Sequence, residues 1–442
     1  MLRLYDLETA RRTILRRPDG PSYMTEYPAA LLEGTQRLFG PGVTPPEAVA
    51  KIMASVREEG DTALQHWSDV LDRAHLSEFL VPEAELAAAW GNLSPELADA
   101  LTIAAERIRA FHELQPLPQW QTERLGGIVG QRVIPIQRVG IYVPGGTAPL
   151  PSSLLMAAIP AQVAGVGKLV VCTPPNPHFT ILAAAHLCGI EHVYQIGGAQ
   201  AIAAMAFGTE TVPKVDKIVG AGNLFVTLAK QQVYGIVGLD GLYGPTETMV
   251  IADNTANPIW VAADLLAQAE HDVIATAILL TPDRALAEAV QNQVASQLET
   301  LSRADTAAQS LTNRGGVVIT PDLETAVELS NAYAPEHLCL SVAEPQALVE
   351  KIHNAGGLFV GERSFEVLGD YVAGPSHIMP TGGTARFSSP LNVSDFVKIT
   401  SIIALDEVSS QSLCALAAEM AEVETLTAHA AAARLRQEGQ DV

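Results

Sequence analysis

Glu336 and His337 stand side by side after Pro335 and just ahead of an apolar run. A carboxylate next to an imidazole at the mouth of a strand suits proton transfer, because histidine titrates near neutrality and a nearby carboxylate tunes it. A capping pair on a loop is the other use of the same residues, and Pro335 keeps the pair out of a strand ladder. Asp264, Gln268 and His271 follow at spacings of four and three in a helical stretch over 261–271, which puts all three on one face. Such a face is either solvated or offers an amide oxygen and an imidazole nitrogen to a metal. Asp370 lies between Gly369 and Tyr371, and His377 closes Gly374-Pro-Ser-His377. An aspartate beside glycine brings its backbone close to a ligand or a metal, or makes a turn. Glu424 and His429 are five residues apart, about 140° around an ideal helix. One straight helix cannot aim both at the same point, so either it restarts near Thr425 or Thr427, both able N-caps, or only one residue is functional.

A second group consists of loops. Tyr142-Val-Pro-Gly-Gly-Thr147 follows an apolar run and precedes a helix, and Gly197-Gly-Ala-Gln200 and Gly220-Ala-Gly-Asn223 repeat that placement. This is the position of a phosphate-cradling turn, although no G-x-G-x-x-G fingerprint accompanies it. Any one of these loops is as easily a tight turn. Three at the same end of one parallel sheet favour a nucleotide or another anionic ligand, because parallel strands gather their carboxyl ends.

The elements that must position these residues are legible as period and punctuation. The first 125 or so residues carry apolar positions at three- and four-residue spacing over 45–59, 82–90 and 95–114 and predict helices. From Arg132 short Val- and Ile-rich runs alternate with Ala-rich helical stretches, the grammar of β-α-β units. Strands are predicted at 139–143, 168–172, 192–196 and 217–219, then at 249–252, 276–280, 316–319, 338–342 and 358–360. Continuous rather than alternating apolar runs indicate parallel sheets covered on both faces. The fold class is therefore α/β, with two doubly wound, incomplete Rossmann-like parallel-sheet lobes, a helical N-terminal arm and a C-terminal helical tail. The expected partition is an arm over 1–36, a larger domain from 37–138 and 248–390, a second domain carrying the three loops over 139–247, and the tail over 391–442. The stretch 372–390 reads as a long functional loop. The Ala-rich tail from about Ser409 has little bulky apolar surface and needs a larger partner to persist.

Composition narrows the partners. The 442 residues suffice for about three domains, with 48% hydrophobic residues, and 27 Lys plus Arg against 49 Asp plus Glu leave a net charge of -22. That charge repels phosphate backbones and anionic lipid heads, so neither nucleic acid nor a membrane surface is an expected partner. Cys172, Cys188, Cys339 and Cys414 form no C-x-x-C pair, which speaks against a disulfide framework or a thiolate zinc site. No secretory h-region opens the chain, and a soluble cytoplasmic protein is expected.

Taken together, these pieces resemble the histidinol dehydrogenase family, zinc enzymes of the last two steps of histidine biosynthesis. The likeness runs from about Gln137 to His429. It is carried by Val139-Gly-Ile-Tyr-Val-Pro-Gly-Gly146, Gly197-Gly-Ala-Gln-Ala-Ile-Ala-Ala204, Phe207-Gly-Thr-Glu-Thr-Val-Pro-Lys-Val-Asp-Lys217, Gln268-Ala-Glu-His271, Ala334-Pro-Glu-His337, Gly369-Asp-Tyr371 and Gly383-Thr-Ala-Arg386. The resemblance implies one zinc per subunit on Gln268, His271, Asp370 and His429, with Glu336 and His337 as the catalytic proton-transfer pair. It implies NAD contacts at Tyr142, Gln200 and Asn223. The substrate, L-histidinol, would meet Thr246, His377 and Glu424 together with the zinc residues and His337. It further implies a homodimer in which the tail of one subunit completes the site of the other. Three positions depart from the family pattern: Thr246 for the usual serine, Ala221 for proline and Thr425 for a frequent glycine. None removes a ligand or a base. A relative acting on another amino alcohol and a two-lobed binding protein without catalysis are the rival expectations.

Overall fold

The computed structural model describes residues 2–17, 27–145 and 149–437. Gly146 and Thr147 of the first loop lie outside the described residues. The chain forms two compact units, Met1–Leu114 with Gln137–Asp395, and Gln115–Ile136 with Phe396–Val442.

The first unit contains both parallel sheets. One has six strands in the order Leu4–Tyr5, Gly316–Ile319, Thr276–Thr281, Glu247–Ala252, His337–Ser341 and Gly357–Val360, every pairing parallel. The other has five, in the order Val193–Gln195, Lys168–Thr173, Arg138–Tyr142, Lys217–Val219 and Gly238–Leu239, again all parallel. Every residue of Glu247–Ala252 and Thr276–Thr281 is buried, as continuous apolar runs demand when helices cover both faces. Successive side chains supply opposite cores. Val250, Leu279, Val317 and Cys339 pack with the helix Pro258–Ala269 on one face, and Met249, Ile278, Val318 and Leu338 with Leu323–Tyr333 on the other. Each such side chain contributes about 1.5–3 kcal/mol of transfer free energy.

The α/β class and both parallel sheets agree with the sequence. The amino-terminal segment is more than a helical arm, because Leu4–Tyr5 adds an edge strand beside Gly316–Ile319 and Leu2 is buried. All four cysteines are free and buried, so Cys172 and Cys339 pack in the sheets as small apolar groups.

The second unit holds an element the sequence pattern did not separate from the α/β blocks. Trp120–Thr122, Ile128–Pro135 and Val397–Ala404 form an antiparallel sheet. Two helices follow, Glu407–Val423 and Thr427–Gln437. The helix does restart, one of the two alternatives that the spacing of Glu424 and His429 left open: Thr425 takes φ 61° and breaks the first helix. Val408, Leu416, Met420 and Val423 are exposed. Among the described residues no helix is long and apolar enough to cross a membrane.

Candidate active site

The helix Leu323–Tyr333 stops at Ala334, whose left-handed backbone turns the chain sharply and delivers Pro335, Glu336 and the strand His337–Ser341. His337 sits in register with Thr248 on one side and Gly357 on the other, so the pair lies at the amino ends of central strands. Glu336 is buried, and its Oε2 accepts from the Thr246 hydroxyl at 2.6 Å and from the Glu247 amide at 2.9 Å. Burial pushes its carboxyl up to about 7, against the lowering pull of His337 and those hydrogen bonds. The Nδ1 of His337 lies 3.0 Å from the Glu247 carbonyl. That carbonyl can only accept, so Nδ1 carries the proton. Nε2 is left 3.4 Å from an Asp370 carboxylate oxygen, and Nδ1 is also 3.6 Å from Glu336. Burial lowers the basicity of this imidazole, but Glu366, Glu336 and Asp370 outweigh it and raise its pKa well above the ordinary value. The ring stacks on Phe359.

A small cavity of about 170 Å³ opens over this pair, lined by Thr246, Gln268, His271, Asp370, His377 and Tyr243 among others. It is smaller than the usual drug-sized pocket and suits a compact polar molecule. Gln268 is buried near the end of the helix Pro258–Ala269. Its amide meets Thr246 on one side and Glu366 on the other. Asp264, one turn earlier, is buried as well, so this is not a solvated face. The helix ends at Ala269 rather than reaching 271, where Asp272 takes over as a turn former and accepts from the Ile274 amide at 3.0 Å. His271 therefore stands on the following turn, exposed at the rim. Asp370 belongs to a short helix, Glu366–Tyr371, where the glycine beside it suggested a turn. Neighbouring imidazoles, His337 first, hold its carboxyl below the usual range against the effect of burial. His377 donates from Nδ1 to the Asp370 carbonyl at 2.8 Å and accepts at Nε2 from Ser153 at 3.1 Å. The stretch 372–390 is tied down accordingly: Thr381 accepts from the Gly244 amide at 2.6 Å, and Ser376 reaches the Met156 carbonyl.

The three glycine loops lie at the carboxyl ends of the five-stranded sheet. The Tyr142 hydroxyl accepts from the Gly198 amide at 3.1 Å, which joins the first loop to the second. Gln200 is fully buried and donates to Asp72 at 3.0 Å, with its Oε1 lacking a partner. Asn223 caps the helix Leu224–Val233 by accepting from Val226. The Gly220 amide donates to Asp240 at 2.7 Å, and buried Lys230 bridges the Gly220 carbonyl and Asp240. These contacts fix the loops without engaging the exposed Asn223 side chain further. Glu424 and His429 belong to the second unit, the one capping a helix end and the other on the last helix, and both are exposed.

The sequence reading passed over Glu366 and Glu247. Glu366 is buried with its Oε2 unpartnered, and burial raises its pKa to about 8. His337, Glu366 and Asp370 each bring a ligand atom within 4.8 Å of the others. The four-residue spacing of Glu366 and Asp370 was the available signal, but a helix of six residues is too short to display a period. Of the three, only Asp370 belongs to the ligand set that the family resemblance implies. The imidazole and carboxylate donors around it, with an orphaned carboxylate oxygen on Glu366 and no thiolate among the three, fit a divalent cation such as zinc.

Comparison with known proteins identifies the family. The family model for histidinol dehydrogenase matches residues 44–437. The histidinol dehydrogenase of Deinococcus radiodurans is 49% identical over 415 residues, spanning 92% of this chain and 94% of the relative. That of Thermus thermophilus is 50% identical over 390 residues, spanning 88% and 94%. The crystal structure of histidinol dehydrogenase from Elizabethkingia anophelis superposes with a TM-score of 0.90 at 36% identity and covers 99% of this chain and 98% of that one. With likeness of sequence and fold over almost its whole length, the chain belongs to the histidinol dehydrogenase family, the oxidoreductases of histidine biosynthesis.

Proposed function

We propose that the cavity binds L-histidinol and that the chain oxidises it in two successive hydride transfers, through L-histidinal to L-histidine, with NAD as acceptor and one zinc ion per subunit. The observation that carries the reading is the pairing of Glu336 with His337 at the cavity floor, beside Gln268, His271 and Asp370. The zinc would be held by those three together with His429, and when bound it supplies a template that orients the amine and imidazole of the substrate. NAD would lie along the loops of Tyr142, Gln200 and Asn223 and supplies the hydride acceptor.

The side chains do the proton work. His337, its Nδ1 proton committed to the Glu247 carbonyl, takes the hydroxyl proton at Nε2 as hydride leaves the alcohol carbon. A positioned base of this kind contributes on the order of 100- to 10,000-fold. Glu336, ionisable near neutrality, takes a proton from the water that adds to the aldehyde. At the same time His337 returns its Nε2 proton to the aldehyde oxygen, which completes the hydrate. The imidazole, neutral again, then removes a hydroxyl proton from that hydrate as the second hydride leaves. Thr246, His377 and Glu424 hold the substrate, and the hydroxyl of Thr246 keeps the contact that a serine would make. A homodimer in which the tail of one subunit completes the site of its partner accounts for the exposed apolar side chains of the second unit. Four buried free cysteines fit the reducing cytoplasm. Purified protein given histidinol and NAD is expected to form two NADH per substrate, lose that activity to a chelator and regain it with zinc. One NADH per substrate, or turnover indifferent to chelation, overturns the proposal.

A further inference from the structure

Arg17 sits at the end of the amino-terminal segment, 230 residues from Glu247 in sequence. Its guanidinium makes a two-point ion pair with the Glu247 carboxylate, with Nη2 at 2.6 Å from Oε2 and Nη1 on Oε1. The same group donates from Nε to the Tyr333 carbonyl at 3.0 Å and lies 3.6 Å above the Tyr333 ring. The two side chains are only 19% and 7% exposed. The Gly382 amide adds a third donor to Glu247 at 3.3 Å.

What makes this more than a buried ion pair is the backbone of Glu247. Its amide holds Glu336 at 2.9 Å and its carbonyl holds His337 at 3.0 Å. Tyr333, the other residue that Arg17 grips, ends the helix from which Glu336 and His337 emerge three and four residues later. One guanidinium thus fastens both backbone segments that aim the pair. We infer that Arg17 is a positioning residue: it clamps Glu247 and the end of the Tyr333 helix so that the Glu247 peptide groups hold Glu336 and His337 in register. The inference rests on the role proposed above for that pair. The fork of arginine matches a carboxylate at two points while its Nε serves a carbonyl, which a lysine ammonium cannot do from one position.

The test is steady-state kinetics with histidinol and NAD on Arg17→Ala, Arg17→Lys and Glu247→Gln. A misplacement near 1 Å costs about 100-fold in rate, so Arg17→Ala is expected to lose about that much kcat. KM for histidinol should stay within about threefold, because Arg17 touches none of the groups assigned to the substrate. Guanidinium ion at about 10–50 mM should restore part of kcat in Arg17→Ala and do nothing for Glu247→Gln, which lacks the charged oxygens that receive the fork. Arg17→Lys should fall between alanine and wild type. Unchanged kcat in folded Arg17→Ala, or a defect confined to KM, overturns the inference. Should Arg17→Ala be insoluble, the near-isosteric Glu247→Gln decides instead, and wild-type kcat there overturns the clamp. His337→Asn reports separately. Full turnover in that variant removes the proton-transfer pair itself, whereas an inactive His337→Asn beside an unimpaired Arg17→Ala removes only the clamp.

Discussion

Replacing Thr246 by valine keeps the shape of the side chain and deletes the hydroxyl that donates to Glu336 at 2.6 Å. Glu336 is already pushed up to about 7 by burial, and the lost hydrogen bond favoured its charged form. A hydrogen bond to a charged group is worth about 1.5–3 kcal/mol, which at 1.36 kcal/mol per pKa unit is about 1–2 units. The carboxyl in Thr246→Val should therefore titrate near 8–9 by the same conversion. A base must be ionised to act, so the sign is fixed: a higher pKa moves the acidic limb of the rate profile to higher pH. At pH 7 the ionised fraction falls from about one half to between about a tenth and a hundredth, and the rate with it, recovering toward pH 10. The assay is NADH formation from histidinal, the half-reaction in which Glu336 activates water, followed across pH 6–10. Thr246→Ser keeps the hydroxyl and should leave the limb in place. Superimposable profiles for Thr246→Val and wild type, or an equal displacement in Thr246→Ser, would refute the reasoning.

Two further outcomes follow from other parts of the site. Gln268→Ala and His429→Ala should each bind less zinc and turn over more slowly; either protein retaining full metal and full activity takes that residue out of the ligand set. Asp264 has its pKa raised to about 7 by burial, then by Glu362. An acid that binds its proton more tightly when folded makes the fold lose stability as pH rises from about 4 to about 7, and the cost persists above that. Asp264→Asn should thus be more stable than wild type by about 4 kcal/mol at pH 8, about 3 pKa units at 1.36 kcal/mol each, and little different at pH 4 in urea titrations; an offset independent of pH would sink the assignment.

How much of this was legible in the sequence follows from how local each signal is. The runs at 249–252 and 276–280 show their burial directly, because strands covered on both faces leave no polar positions to confuse the pattern. Glu336 and His337 announce themselves by adjacency. Asp370 was visible as a residue type but misplaced as a loop residue, since a helix of six residues is too short to display a period, and Glu366 was missed with it. The strands Ile128–Pro135 and Val397–Ala404 pair across most of the chain, and nothing within either run names its partner. Glu247 acts through its peptide groups, which every residue type possesses, and Arg17 through a contact 230 residues away; neither leaves a local trace.

The end of the sheet at which the proton-transfer pair sits is the least expected feature, and it has a physical reason. The glycine loops lie at the carboxyl ends of the five-stranded sheet, where an open α/β sheet ordinarily receives its ligand. Glu336 and His337 instead occupy the amino ends of strands in the six-stranded sheet. There the first amide of an entering strand has no ladder partner of its own on one side, and the Glu247 amide spends that freedom on the Glu336 carboxylate at 2.9 Å. The carbonyl of the same residue accepts from His337 at 3.0 Å, so a single residue offers one donor to the acid and one acceptor to the base. A carboxylate held by a backbone amide and an imidazole held by the adjoining carbonyl are locked in relative position by covalent geometry rather than by side-chain packing. That is how the two groups come to share one buried corner with their separation set by a single residue of the neighbouring strand.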